Sequence, residues 1–151
     1  MIRVLMVCHG NICRSPMAEF VMKDIVKKAG KEADFIINSA ATSTEEIGND
    51  IYPPAKRKLT EKGIPFTARA ARQITKADYN NYDLIIGMDN ENRRNLLRIF
   101  SNDPDNKVSN LMDHTSSPRS VADPWYTGDF EETWNDVLEG CTALFNELDN
   151  K

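Results

Sequence analysis

Val4-Leu5-Met6-Val7-Cys8-His9-Gly10-Asn11-Ile12-Cys13-Arg14-Ser15-Pro16 reads as a strand, a loop and the start of a helix. The four residues Val4 to Val7 are apolar without alternation, the pattern of a parallel strand buried on both faces. Pro16 suits a first helical turn, where its missing N–H would find no partner in any case. Ala18, Val21, Met22, Ile25 and Val26 then recur at helical spacing, and the pattern ends near Gly30. In open α/β sheets, a loop running from the carboxyl end of a strand into a helix is where ligands bind.

The rest of the chain repeats that alternation. Strands are expected at Phe35 to Ile37, at Leu84 to Met88 and, more weakly, at Val108 to Met112. A short charged helix is expected over Ala55 to Lys62, opened by Pro53-Pro54 and closed by Gly63. Others are expected from Thr75 to Tyr82 and after a cap at Asp89, with Leu96, Leu97 and Phe100 facing inward. A last helix carries Trp134, Val137, Leu138, Cys141, Leu144, Phe145 and Leu148 on one stripe. Ser101 to Arg119 reads as loop around the weak fourth strand. The fold class is therefore α/β: one three-layer domain over residues 1–151, a parallel sheet between helices on both faces.

Composition narrows the functional classes. The chain is 40% hydrophobic and 28% charged, and no apolar run approaches the roughly 18 residues of a membrane span. Its first apolar run is too short for a signal-peptide core, so the expected location is cytoplasmic. A net charge of −4 argues against a nucleic-acid partner, although a local field can still attract an anion. Three cysteines, Cys8, Cys13 and Cys141, show no disulfide-framework spacing. Cys141 lies on the apolar stripe of the last helix and reads as core. With only His9 and His114 and no C-x-x-C pair, a structural zinc site is not expected.

The first loop carries the chemistry. Five residues separate Cys8 from Arg14, enough to wrap the chain around one tetrahedral anion. Successive backbone N–H groups can form an anion nest, and the helix N-terminus adds about half a positive charge. Gly10 and Asn11 tolerate the left-handed conformations such a loop needs. The planar fork of Arg14 can grip two phosphate oxygens. The same field stabilises a thiolate at Cys8, a nucleophile aimed at phosphorus, and Ser15 can donate to the sulfur when it leaves. Neither the nucleotide motif G-x-x-x-x-G-K-[ST] nor the dinucleotide motif G-x-G-x-x-G is present. The plainer alternative makes Cys8 a buried thiol and Arg14 a surface charge.

Expelling an alkoxide or phenoxide requires a proton, and the loop supplies no acid. The candidate is Asp123, in Val121-Ala122-Asp123-Pro124-Trp125-Tyr126. Asp-Pro is also a common turn. The two aromatics after it can wall a flat pocket, exclude water and favour the protonated acid. The carboxylate left after the first step can then activate water.

With these residues in view, the chain resembles the low-molecular-weight protein tyrosine phosphatases over nearly its whole length. The resemblance rests on Val7 to Pro16, Ser39-Ala40-Ala41-Thr42-Ser43, Ala71-Arg72-Gln73-Ile74, Met88-Asp89 and Asp123 to Tyr126. It implies a four-stranded parallel sheet, hydrolysis of phosphotyrosine through a phosphocysteine, and no metal or cofactor. Cys8 would be the nucleophile, Arg14 the phosphate binder within the loop His9 to Arg14, and Asp123 the general acid. Asn11 would hold the loop through hydrogen bonds reaching Ser39. The pocket walls would be His9, Ile12, Glu45, Trp125 and Tyr126. The expected partners are a phosphotyrosine-containing protein and, in the loop, inorganic phosphate or a similar oxyanion. The expected state is a monomer or weak dimer, with no membrane partner.

Some positions depart from the family pattern. Glu45 stands where an aromatic wall is common, which should disfavour acidic phosphopeptides; Arg69 stands where many members carry a His. Trp125 replaces a frequent tyrosine. Cys13 lies near Cys8 across the loop, so that oxidation can close a protective Cys8–Cys13 disulfide, the alternative being a small packing residue. Arsenate reductases of this fold need two further cysteines, and only Cys141 remains. Protein-arginine phosphatases resemble the chain throughout but tend to carry Thr where Ile12 stands. A non-catalytic phosphate-binding module needs neither the thiol nor the acid.

Overall fold

A computed structural model of the chain describes residues 1–150. Its centre is β1 (Ile2–Cys8), paired in parallel on both sides. The sheet continues through β2 (Phe35–Ala41), β3 (Leu84–Gly87) and β4 (Val108–Asn110), in spatial order β2-β1-β3-β4, and every pairing is parallel. This is the expected α/β domain with four parallel strands. The connecting helices are α1 (Arg14–Lys28), α2 (Pro53–Glu61), α3 (Asp78–Asn81), α4 (Asn90–Phe100), α5 (Pro124–Thr127) and α6 (Phe130–Asp149).

The unbroken apolar run of β1 has the burial it implied. Val4 and Met6 point into a cluster with Met17, Val21, Leu59 and Val137, the side covered by α1, α2 and α6. Leu5 and Val7 point the other way, against Tyr79, Ile85, Leu96 and Val108 under α3 and α4. All four β1 residues are fully buried, and each such side chain contributes about 1.5–3 kcal/mol of transfer free energy.

The elements differ from expectation mainly at their ends. β2 runs on past Ile37 to Ala41, because its ladder with β1 pairs every residue from Ile2↔Phe35 to Cys8↔Ala41. Backbone pairing thus outweighs the polar Asn38-Ser39 and carries Ser39 beneath the first loop. The fourth strand stops at Asn110, where Leu111–His114 turns into a 3-10 helix and Asn110 N donates to Asp113 Oδ2 at 2.9 Å. The helix expected from Thr75 shortens to α3, since the Asp78 carboxylate accepts from Thr75 N at 2.7 Å and closes a turn there. Leu138, placed on the inner stripe of α6, is 38% exposed. Cys141 is fully buried against α1, and its thiol donates to the Ala18 carbonyl at 3.6 Å. Among the described residues, no helix is long and apolar enough to cross a membrane.

Candidate active site

Cys8 is the last residue of β1 and Arg14 the first of α1, so the loop between them sits at the carboxyl edge of the sheet. Asn11 adopts the left-handed conformation (φ 61°), which asparagine tolerates better than most residues. Its side chain supports that shape. Nδ2 donates to Ser15 Oγ at 2.8 Å and to Ser39 Oγ at 3.0 Å, and Oδ1 accepts from Arg72 N at 3.4 Å. Gly10 does not use the left-handed region. It is small because Glu46 is close: a Cβ there would lie 3.3 Å from Glu46 Cγ.

The Cys8 sulfur is met by Ser15 Oγ at 3.0 Å and by the Asn11 N–H at 3.3 Å. The polar network continues inward, where Ser39 Oγ donates to Glu19 Oε1 at 2.5 Å and Lys23 Nζ reaches Glu19 Oε2 at 2.5 Å. Glu19 is buried and closes this network. Buried polar groups are costly unless paired, and here each has a partner.

Arg14 is 4% exposed and held from three directions. Nη1 donates to Asp89 Oδ2 at 2.8 Å and to the Val121 carbonyl at 3.3 Å, while Nη2 faces Asp123 Oδ2 at 3.3 Å. Burial works against its charge, but Cys8, Asp123 and Asp89 outweigh that and leave the guanidinium raised above its ordinary value. Asp89 serves two elements at once, since its Oδ1 also caps α4 by accepting Asn92 N at 2.8 Å. The sequence revealed the cap; the grip on Arg14 has no local signal, because the two residues lie 75 positions apart.

Asp123 caps the one-turn helix α5, its Oδ1 accepting Trp125 N at 3.0 Å. Its loop is tied to the sheet by Val121 N donating to the Met88 carbonyl at 2.9 Å. It is tied to α6 by Ala122 N donating to Asp136 Oδ2 at 3.0 Å and by Thr133 Oγ1 donating to the Ala122 carbonyl at 2.8 Å. The aromatic walls are more open than expected. Trp125 is 59% and Tyr126 85% exposed, so in this arrangement they do not shield Asp123 from water.

These groups line one cleft of about 390 Å³, whose walls include His9, Ile12, Glu45, Trp125 and Tyr126. Glu45 pairs with His9 Nε2 at 3.0 Å across the mouth, a contact that sequence spacing does not reveal. Glu46 and Glu91 add acidic groups to the rim. Cys13 is buried in the same wall, and burial, together with the negative charge of Cys8, pushes its thiol up to about 12. Arg69 lies nearby, its Nη1 donating to the Asn49 carbonyl at 3.3 Å. Among the described residues, no three His, Cys, Asp or Glu side chains gather as ligands for a metal ion.

The fold and sequence are similar to those of known proteins. The family model for low molecular weight phosphotyrosine protein phosphatases matches residues 3–151. The chain is 37% identical over 150 residues to the low molecular weight protein-tyrosine-phosphatase YfkJ of Bacillus subtilis, covering 98% of this chain and 96% of that one. The YfkJ crystal structure superposes with a TM-score of 0.95 over 99% of this chain and 96% of that one. The crystal structure of SP-PTP, a low molecular weight protein tyrosine phosphatase from Streptococcus pyogenes, gives 0.88 at 42% identity, over 98% and 93% of the two chains. A Drosophila arginine phosphatase also gives 0.88, at 26% identity over 96% of each chain.

Proposed function

Since the chain belongs to the low molecular weight phosphotyrosine protein phosphatase family, we propose that it hydrolyses phosphotyrosine in proteins through a phosphocysteine intermediate. The carrying observation is that the Cys8 sulfur, the Arg14 guanidinium and the Asp123 carboxyl line one cleft at the start of α1. A phosphate dianion on the loop is held by inward N–H groups and by the helix dipole. It competes with Asp123 for Arg14 Nη2, which frees the carboxyl to face the ester oxygen. The Cys8 thiolate attacks phosphorus, the bond from phosphorus to the tyrosyl oxygen breaks, and protonated Asp123 gives its proton to the departing phenoxide. Asp123, now a carboxylate, takes a proton from water as that water attacks phosphorus. The phosphorus–sulfur bond breaks, phosphate leaves, and Ser15 donates to the returning thiolate.

Ile12 and the two aromatics favour a flat apolar phenyl ring over a guanidinium, which is why tyrosine is preferred to arginine despite the likeness to an arginine phosphatase. Cys13 belongs to the same reading as a resolving thiol: once Cys8 is oxidised to a sulfenic acid, the Cys13 sulfur displaces water and closes a disulfide. Recovery by thiol after peroxide should be complete in wild type and impaired in Cys13→Ser. Equal recovery would remove the protective role. The substrate is tested by kcat/KM for phosphotyrosine, phosphoserine and phosphoarginine peptides in the presence of a chelator. Phosphotyrosine should be turned over fastest; phosphoarginine fastest would overturn the substrate and keep the loop chemistry.

A further inference from the structure

Tyr52 belongs to neither the phosphate loop nor the Asp123 turn, yet it touches both halves of the site. It is the residue before α2, and its backbone N donates to the Ile12 carbonyl of the phosphate loop at 2.9 Å. Its ring lies against Trp125, centroids 5.3 Å apart at 59°, and stacks on Phe130 at 6.3 Å and 26°. Trp125 is the residue whose N–H holds Asp123 Oδ1, and Phe130 opens α6 on the far side of α5. One ring thus braces the segment carrying the acid at both its ends. The residue that owns that ring is bonded through its backbone to the loop that carries the phosphate.

We infer that Tyr52 is a positioning residue that sets the acid Asp123 against the leaving-group oxygen of a phosphate held on the Cys8–Arg14 loop. The inference rests on Asp123 being the general acid. The acid is exposed to misplacement because Trp125 is 59% exposed and its ring has Tyr52 as its aromatic neighbour. Beyond that neighbour the segment is held by hydrogen bonds at Val121 and Ala122, upstream of the carboxyl, and by the contact of the carboxyl with Arg14, for which a bound phosphate competes. General-acid catalysis fails steeply when the donor is a fraction of an ångström from its target. The contacts are made by the ring, so the hydroxyl of Tyr52 is dispensable.

The test is the leaving-group dependence of kcat/KM, which reports the step in which the P–O bond breaks. A phenol with a pKa of about 10, like tyrosine, needs the proton; a dinitrophenol does not. Asp123→Asn is the reference and should lose activity on phenyl phosphate far more than on 2,4-dinitrophenyl phosphate. Tyr52→Ala should follow it in direction, losing on the order of 10-fold on phenyl phosphate and phosphotyrosine peptide, with dinitrophenyl phosphate changed less than about twofold. Tyr52→Phe should restore the wild-type profile. Tyr52→Leu, which keeps aliphatic bulk for folding, should show the same selective loss, and thermal unfolding of each variant confirms a folded sample. Equal losses on both esters, or none, with Asp123→Asn still selective, would overturn the role of Tyr52 and leave the mechanism standing. If Asp123→Asn itself were unselective, the acid assignment would fall and the inference with it.

Discussion

Three cysteines in one small domain are chemically unequal, and the inequality is a matter of surroundings. Cys8 faces the cleft with Ser15 and Asn11 against its sulfur. The thiol of Cys13 is pushed up to about 12, and that of Cys141 is raised by complete burial. Because the thiolate is the reactive form, iodoacetamide at neutral pH should label Cys8 alone, with inorganic phosphate slowing the reaction; peptide mass mapping reads the site. Labelling of Cys13 or Cys141 at a comparable rate would contradict this. Cys8, Arg14 and Asn11 were legible in the sequence because a loop that binds one anion needs a few residue types at fixed spacing, whereas Ser39 was expected only through the family resemblance. Asp89's grip on Arg14, Glu19's place in the network and the His9–Glu45 pair were not legible, since each joins residues distant in the chain. Glu45 nonetheless keeps its expected consequence. Glu45→Trp should raise kcat/KM on acidic phosphopeptides, and an unchanged preference would count against it.

At the scale of elements, the strands and helices with a strong apolar period were read correctly, and the errors fall where tertiary contacts decide an end. β2 gained Asn38 to Ala41 from its ladder with β1, and that extension is what brings Ser39 under Asn11. α6 is set close to the 3-10 segment after β4, and Gly140 makes the approach possible. A Cβ there would lie 2.5 Å from Leu111 Cγ and 3.0 Å from Met112 Sδ, both residues fully buried. Gly140→Ala gains about 1 kcal/mol of helix propensity, but overpacking a rigid core costs about 1–3 kcal/mol. The variant should therefore be less stable by about 1 kcal/mol in urea unfolding; equal or greater stability would show that Leu111 yields freely. No sequence pattern announces such a glycine, because the clash is with residues that a helix meets only after folding.

For the molecule as a whole, stability and chemistry depend on different carboxylates. Burial acts to raise Asp103, but hydrogen bonds from Tyr79, Lys107 N and Val108 N overcome it and hold its carboxyl below the ordinary range. A depressed folded pKa means that its contribution is fully present above the unfolded value of about 3.9 and is lost as pH falls through the lower folded value. Asp103→Asn should accordingly lose less urea stability than wild type between about pH 6 and about pH 2.5; parallel losses would deny Asp103 that role. Asp50 and Asp83 are also lowered, chiefly by Lys56 and Arg3, but these partly exposed pairs are screened and weigh less. The sheet, its helices, the loop at its edge and the acid opposite it were thus readable in outline, whereas the contacts that tie Arg14 to Asp89 and His9 to Glu45 were not. The Cys8 sulfur is the centre of the chemistry, and one comparison tests it: kcat/KM on a phosphotyrosine peptide, with chelator, for wild type beside Cys8→Ser. Wild type should turn the peptide over, and Cys8→Ser should lose close to the full effect of the catalytic group, on the order of 10³-fold or more, while still binding phosphate. Turnover surviving in Cys8→Ser at a comparable rate would contradict it.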